Sequence, residues 1–414
     1  MSQSPAANVL LQLADRCVKC GMCLPSCPTY GLFQNEAESP RGRISLIQAV
    51  AQQSLQATPS LKSHLDHCLG CRTCEKLCPA QMSYGELLDK ARADWYTRPG
   101  FVLRQLLAWA ASPRKRMRLR LTMRWLRRLS LLPTLVKLAR KIRADIPDLS
   151  QQQAFTTQQT LYPSVTEPRG KVMLFTGCTG PDFDAETLRA TIKLLTHMGY
   201  VVDLPPSQNC CGAMHLHNGD SQTALQLARE NIAAFAKNDS QILYVASGCG
   251  AQLKEYADLP WANAEDQGQA AALARRAVEI TQFIAGQALP DHLSLVPLKQ
   301  TVAIYTPCSM RNVLRQQDAS ARLLGQIPAI QLQSLPNSPA CCGAAGTYML
   351  TQPTLAGQIR QPHLDNIKAL GTSILCTTNI GCALHLASGA EQQGLKLTIK
   401  HPVTLFAEQL QFKK

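Results

Sequence analysis

Eight cysteines near the N-terminus fall into two runs with one spacing. The first is Cys17-x2-Cys20-x2-Cys23-x3-Cys27-Pro28, and the second is Cys68-x2-Cys71-x2-Cys74-x3-Cys78-Pro79. A cubane [4Fe-4S] cluster needs four thiolates around a compact core, and one tight backbone turn supplies three of them. In two-cluster ferredoxins the fourth cysteine of such a run, just before proline, serves the other cluster. The spacing therefore predicts one cluster on Cys17, Cys20, Cys23 and Cys78, and a second on Cys68, Cys71, Cys74 and Cys27. Zinc ribbons use CxxC pairs rather than quartets followed by proline, which makes zinc the weaker reading. The 40 residues between Cys27 and Cys68 carry a helical pattern from Arg43 to Val50. That favours a helical ferredoxin over the small β-rich type.

A second set of cysteines surrounds two Cys-Cys-Gly triplets, Cys210-Cys211-Gly212 and Cys341-Cys342-Gly343. A β-rich run precedes each triplet and leads to Cys178 or Cys308. A second apolar run follows each and ends at Cys249 or Cys382. Equivalent cysteines are offset by 130, 131 and 133 residues, a near-constant period that indicates an internal duplication. Strands alternating with helices predict two α/β halves with parallel sheets, related by a pseudo-twofold. Thiols converging at strand ends suit iron–sulfur binding, zinc binding or thiol redox chemistry, and a purely structural thiol pocket is the plain alternative. The candidate sites are Cys178, Cys210, Cys211 and Cys249, and Cys308, Cys341, Cys342 and Cys382, with His385 as an added ligand of the second. Cys376 lies inside an apolar run and reads as core.

Four segments must position these residues: a helical ferredoxin domain over 1–95, a basic helical segment and linker over 96–165, and α/β halves over 166–295 and 296–414. A chain of 414 residues accommodates that number of domains. The net charge of +14 is local: fourteen Lys/Arg and no Asp or Glu lie between Trp95 and Ala144, and the remaining 28 basic residues match 28 acidic ones. Such a distribution argues against a general nucleic-acid-binding surface. Within the basic segment Arg114, Lys115, Arg116, Arg118, Arg120, Arg124, Arg127 and Arg128 are interleaved with Leu, Met and Trp, including Trp109 and Trp125, a pattern for an anionic membrane surface or an acidic partner, with a solvated helix face as the plain alternative. Pro147 and the Gln/Thr-rich stretch 151–160 read as the linker.

No stretch approaches the ~20 apolar residues of a membrane-spanning helix. Met1 to Asp15 lacks a basic region followed by a long apolar run, so no secretory signal is expected. Clustered, odd-numbered cysteines then point to metal ligation in the reducing cytoplasm rather than to disulfides. No complete dinucleotide fingerprint, Walker A, HExxH or GxSxG motif is present. The expectation is a conduit with no flavin of its own, so substrate chemistry falls to partner subunits and no catalytic residue is assigned here.

The Cys-Cys-Gly arrangement resembles the cysteine-rich CCG domain of heterodisulfide reductase, glycolate oxidase and anaerobic glycerol-3-phosphate dehydrogenase subunits. In its complete form that motif ends in CxxC; here Gln252 and His385 stand where the last cysteine would be. Over nearly its whole length the chain resembles the iron–sulfur subunits of glycolate oxidase. The resemblance rests on both ferredoxin runs, on Ser39-Pro40-Arg41-Gly42-Arg43-Ile44, on Ser247-Gly248-Cys249-Gly250 and on Asn379-Ile380-Gly381-Cys382. It implies an oxidoreductase complex in which FAD-containing dehydrogenase subunits of the GlcD and GlcE type oxidise glycolate to glyoxylate. The iron–sulfur subunit would relay the electrons toward membrane quinone, peripherally on the cytoplasmic face of the inner membrane. The alternatives are the same role beside a lactate or glycerol-3-phosphate dehydrogenase, or a thiol–disulfide reductase acting at the CCG halves.

Overall fold

The computed structural model describes residues 5–142, 154–156, 159–336 and 341–412. Its N-terminal part is helical. Helices Pro5–Ala14, Pro40–Ala51 and Tyr84–Asp94 close around Leu10, Ile44, Ile47, Leu87 and Leu88. Cys17, Cys68, Cys74 and Cys78 pack on the edge of that core. The central helix starts at Ser39, whose Oγ accepts from Gly42 N at 2.9 Å, with Pro40 at the first helical position. A Cβ at residue 42 would lie 1.9 Å from the Glu36 carbonyl oxygen, so only glycine fits there.

This start aims Arg43 into the module, where it is fully buried. Arg43 donates from Nη2 to Glu38 Oε2 at 2.6 Å, from Nη1 to Thr29 Oγ1 at 3.0 Å and from Nε to the His64 carbonyl at 2.6 Å. His64 and His67 each donate from Nδ1 to Glu38 Oε1, at 2.7 and 2.9 Å. One buried carboxylate thus joins the segment before the central helix to the helix leading into the second cysteine run. Burial alone would push the Glu38 carboxyl up; the bonds from His64 and His67 and the Arg43 charge outweigh it and hold the group below its ordinary value.

The remainder is duplicated α/β structure, as the repeat predicts. The first sheet contains β1 (Leu161–Tyr162), β2 (Gly170–Phe175), β3 (Tyr200–Asp203), β4 (Gln241–Tyr244) and β5 (Ala277–Glu279), in the order β1-β3-β2-β4-β5. All its pairings are parallel except that of β1 with β3. Next come β6 (Leu293–Leu295), β7 (Thr301–Ile304), β8 (Gln331–Ser334), β9 (Ile374–Cys376), β10 (Thr398–Lys400) and β11 (Leu410–Phe412). The second sheet is all parallel in the order β10-β9-β7-β8. Strands 3-2-4-5 and 8-7-9-10 are therefore the same unit twice. The strands β2, β4, β7 and β9 are buried beyond their first one or two residues and read as apolar runs, as central strands of parallel sheets do. Chain reversal at the C-terminus pairs β11 antiparallel with β6. Cys376 is buried in β9, within the core shared by the halves.

The basic segment folds as helices Phe101–Ala111, Pro113–Arg128 and Leu132–Ile142. Arg116 is buried, with Nη2 donating to Asn209 Oδ1 at 3.0 Å and Nη1 bonding the Ala110 carbonyl. Arg120 pairs with Asp182, and Trp109 packs on Phe183. The linker expected around Pro147 and over 151–160 lies largely outside the described residues.

Removing one partner of a buried charge pair leaves the other uncompensated, which costs about 3–5 kcal/mol. Glu38→Gln should lower the urea midpoint of the ferredoxin module accordingly, read from cluster absorbance and helical circular dichroism. Because the folded Glu38 value is depressed, its contribution is complete above the unfolded carboxyl value of about 4.3 and is lost as pH falls through the folded one. The gap between wild type and Glu38→Gln should therefore close in acid.

Candidate iron–sulfur and thiol sites

The two ferredoxin runs bend around two adjoining pockets. One is lined by Cys17, Cys20 and Cys23 from the first run, together with Cys78. The other is lined by Cys68, Cys71 and Cys74 from the second run, together with Cys27. Each fourth cysteine lies with the other run's three, and Cys74 borders both pockets. The turns that curl the first three cysteines inward need left-handed backbone, at Gly21 and Lys19 in one run and at Gly70 and Arg72 in the other. Eight thiols in two sets of four match the donor set of two cubanes, and no carboxylate lines either pocket. Lys19 and Arg41 border the first pocket, Arg43 and Arg72 the second. These cations offset the anionic charge that four thiolates bring to a cluster.

Weak donors surround the second set. Gly70 N–H donates to Cys68 Sγ at 3.5 Å and Tyr84 Oη to the same sulfur at 3.6 Å. Cys27 Sγ lies 3.4 Å from Thr29 Oγ1, and Cys71 Sγ lies 3.6 Å from Thr73 Oγ1. Burial pushes the Cys71 thiol up to about 12 and Cys74 well up. Thiolates form there only when a cation shares the site, so binding metal releases protons. Cys20, by contrast, is exposed, between the exposed Val18 and Met22.

The triplets form two further thiol sets. In the first half Cys178, Cys210, Cys211 and Cys249 follow one another in hydrogen-bond contact. In the second half Cys308, Cys341, Cys342 and Cys382 do the same, with Cys342 Sγ and Cys382 Sγ 3.0 Å apart. Strand ends deliver Cys178 and Cys308, and the N-terminal turns of helices Ser247–Lys254 and Ile380–Gln392 deliver Cys249 and Cys382. The Cys382 thiol stays above its ordinary value: its bond to Cys342 lowers it, and burial together with the nearby Cys308 and Cys341 outweighs that bond. Asn379 Oδ1 caps the second helix by accepting from Gly381 N and Cys382 N. The two termini meet between the halves: Asn379 Nδ2 donates to Ser247 Oγ at 3.3 Å, and Ser309 Oγ donates to the same oxygen at 2.8 Å.

The sets differ in their electrostatics. Hydrogen bonds from Cys178 and Cys211 hold the Cys210 thiol well below its ordinary value. Arg116 and His215 stand nearby. In the second half the bond to Cys341 and then burial push Cys308 well up. Among the described residues no three thiols of either set lie within 4.8 Å of one another. A zinc tetrahedron with Zn–S of about 2.3 Å needs every sulfur pair about 3.8 Å apart. The compact three-residue group is Glu38, His64 and His67, which the Arg43 network already satisfies.

His385 does not turn toward the second thiol set. Its Nε2 lies 3.1 Å from the Ala356 carbonyl, and Arg360 Nη1 lies 3.5 Å from its Nδ1. Gln252 is buried in the equivalent helix of the first half.

The ferredoxin module is bonded to both halves. Arg72 bridges Glu75 and Glu255, and His217 Nδ1 lies 3.1 Å from Asp89 Oδ1. Asn312 Nδ2 donates to the Cys71 carbonyl at 2.7 Å and to Thr73 Oγ1 at 3.0 Å. Leu69 and Cys71 share one apolar cluster with Cys308, Cys341, Tyr348 and Ile359. The second-half thiols therefore abut the Cys71 pocket. The first-half thiols Cys178 and Cys210 instead pack under Ala110 and Trp109 of the basic helical arm.

Residues 13–82 match the family model described as a 4Fe-4S dicluster domain, and residues 172–254 and 302–387 match the cysteine-rich CCG domain. A probable glycolate oxidase iron–sulfur subunit of Bacillus subtilis is 32% identical, over 95% of this chain and 93% of that one. The glycolate oxidase iron–sulfur subunit of Escherichia coli is 31% identical, over 99% of this chain and 98% of that one. Lactate utilization protein A of Shouchella clausii is 29% identical, over 56% of this chain and 95% of its own length. Among solved structures, a hypothetical protein from Helicobacter pylori superposes with a TM-score of 0.53 at 9% identity, covering 97% of this chain and 71% of that one, which is a likeness of fold.

Gly343 has φ +90 and a Cβ there would sit 2.6 Å from the Ala356 carbonyl oxygen, whereas nothing lies within 4 Å of a Cβ at Gly357. Gly343→Ala should destabilise the second half by at least about 1–3 kcal/mol. Gly357→Ala, inside helix Pro353–Leu370, should stabilise it by about 0.5–1 kcal/mol. Thermal melts of the two variants should move in opposite directions.

Proposed function

The chain belongs to the family of glycolate oxidase iron–sulfur subunits, and from that premise we propose that it is the electron-transfer subunit of a glycolate dehydrogenase complex. It takes electrons from FAD-containing partner subunits, of the GlcD and GlcE type, and delivers them toward quinone. The observation that carries this reading is the crossed arrangement of eight thiols around two adjoining pockets. When bound, a [4Fe-4S] group supplies one-electron exchange at a potential set by charge, hydrogen bonds and exposure. Cys17, Cys20, Cys23 and Cys78 hold one group; Cys68, Cys71, Cys74 and Cys27 hold the other.

The chain's own residues do three things around these groups. They bind iron through thiols and supply cations in place of carboxylates. They expose one edge at Cys20, framed by Val18 and Met22, where a partner subunit can approach. They also join the Cys71 pocket to the second-half thiols through Leu69 and Asn312. The CCG sets supply four thiols each, a donor set for a further iron–sulfur group or for zinc. His385, whose nitrogens are engaged elsewhere, is left out of the second set.

A thiol–disulfide reductase reading draws on the depressed Cys210 thiol. Attack on a substrate disulfide needs access, and Cys210 and Cys341 are fully buried. The carrier reading has no such requirement.

The test is anaerobic purification of the chain with its flavin partners, followed by low-temperature EPR after adding glycolate, lactate or glycerol 3-phosphate. Glycolate should generate reduced [4Fe-4S] signals at least tenfold stronger than the other two do. Signals from dithionite but not from glycolate, with flavin intact, would retain the carrier and remove the glycolate assignment.

A further inference from the structure

The basic helical arm has a use that the electron-carrier reading does not absorb. Along helix Pro113–Arg128, Met117, Leu121 and Trp125 follow at four-residue steps and are 56%, 60% and 59% exposed. Residues four apart share a helix face, so these three form one outward stripe. Arg114, Arg118, Arg124 and Arg128 are exposed too. At about 100° per residue they fall on that same face, between and beside the apolar side chains. The opposite side is fixed to the protein: Arg116 is buried against Asn209, and Arg120 pairs with Asp182. The apolar stripe therefore belongs to a rigidly mounted helix, and it looks away from the core.

Two partners have to be weighed. An acidic protein would meet the arginines and can also cover Met and Trp, both common at protein interfaces, so vesicle binding is what separates the two. An anionic bilayer uses both features at once. Apolar side chains enter the acyl boundary, Trp sits at the interface, and long arginines reach back to the phosphates. Leu131, just before the next helix, and Leu135 and Leu138 within it are exposed as well. No helix among the described residues is long and apolar enough to cross a membrane, which leaves lying on the surface as the mode of contact.

We propose that the outward face of helix Pro113–Arg128 docks the chain on an anionic phospholipid bilayer. Docking there also orients the molecule. Asn209, which accepts from Arg116, donates from Nδ2 to the Ala111 carbonyl at 2.9 Å and bonds the Cys210 amide through Oδ1 at 2.8 Å. The arm and the first-half thiol set are thus one rigid piece, and the bilayer lies on their side of the protein. This orientation rests on the proposed function: it makes the first-half thiols the end nearest a lipid-soluble acceptor.

The experiment uses the holo chain with its flavin partners and sucrose-loaded vesicles. One set is phosphatidylcholine; the other contains phosphatidylglycerol as well. Binding should appear only with the anionic vesicles, fall with added salt, and shift the emission of Trp125 to the blue, a shift absent in Trp125→Phe. Each arginine among 114, 118, 124 and 128 changed to Gln should weaken binding roughly fivefold. Met117→Ser with Leu121→Ser should weaken it at least roughly tenfold while the residual binding keeps its salt dependence. Equal binding to both vesicle types, no binding to either, or full binding by the arginine variants would overturn the proposal. If vesicles do not bind but glycolate still reduces the clusters, docking falls and the carrier reading stands; if vesicles bind while dithionite but not glycolate reduces the clusters, docking stands and only the glycolate assignment falls.

Discussion

Everything in the N-terminal part depends on one constraint: each set of four thiols draws its last member from the other end of the module. Cys78 must return to the Cys17 turn and Cys27 must reach the Cys68 turn. Neither turn can close without the helices that separate the runs. The Arg43–Glu38–His64–His67 network fixes how those helices meet. It buries a full charge on each side, which is tolerable only because every oxygen of the carboxylate is occupied. A buried ion pair is weak as a source of net stability. As a register device it suits a module whose ligands must agree in position across some forty residues.

The C-terminal halves answer a different constraint. Four adjacent thiols must be gathered without a long cysteine run, so strand ends and helix N-termini each contribute one or two. The duplication puts two copies of this device back to back, with Ser247, Ser309 and Asn379 bonded where they meet. Their environments then diverge. The second copy shares an apolar cluster with Cys71, while the first is tied through Asn209 and Arg116 to the basic arm. Sequence equivalence gives the two sets the same shape; the neighbouring elements give them different surroundings.

Much of this was legible in the sequence. The ferredoxin spacing, the offset of the Cys-Cys-Gly triplets and the apolar runs before Cys178 and Cys308 are periodic or fixed-distance signals, and the strands β2, β4, β7 and β9 fall where those runs lie. Other features depend on distant residues and leave no such mark. The return of β11 to β6 is a pairing across more than a hundred residues with short, ordinary strands. The Glu38 network combines residues from three elements, and only Ser39-Pro40 before Arg43 hints at a helix start there. Orientation was also beyond reach for His385: a histidine three residues after Cys382 has ligand spacing, yet Arg360 and the Ala356 carbonyl engage its ring. In the basic arm the composition was plain, but which arginines turn inward became visible only with Asn209 and Asp182 in place.

The most direct measurement of the central claim is a comparison of three single variants, Cys17→Ala, Cys68→Ala and Cys78→Ala, by iron content and EPR of the dithionite-reduced proteins. Crossed ligation predicts that Cys78→Ala loses or converts the same cluster as Cys17→Ala and spares the one perturbed in Cys68→Ala. A Cys78→Ala spectrum matching that of Cys68→Ala would contradict the account.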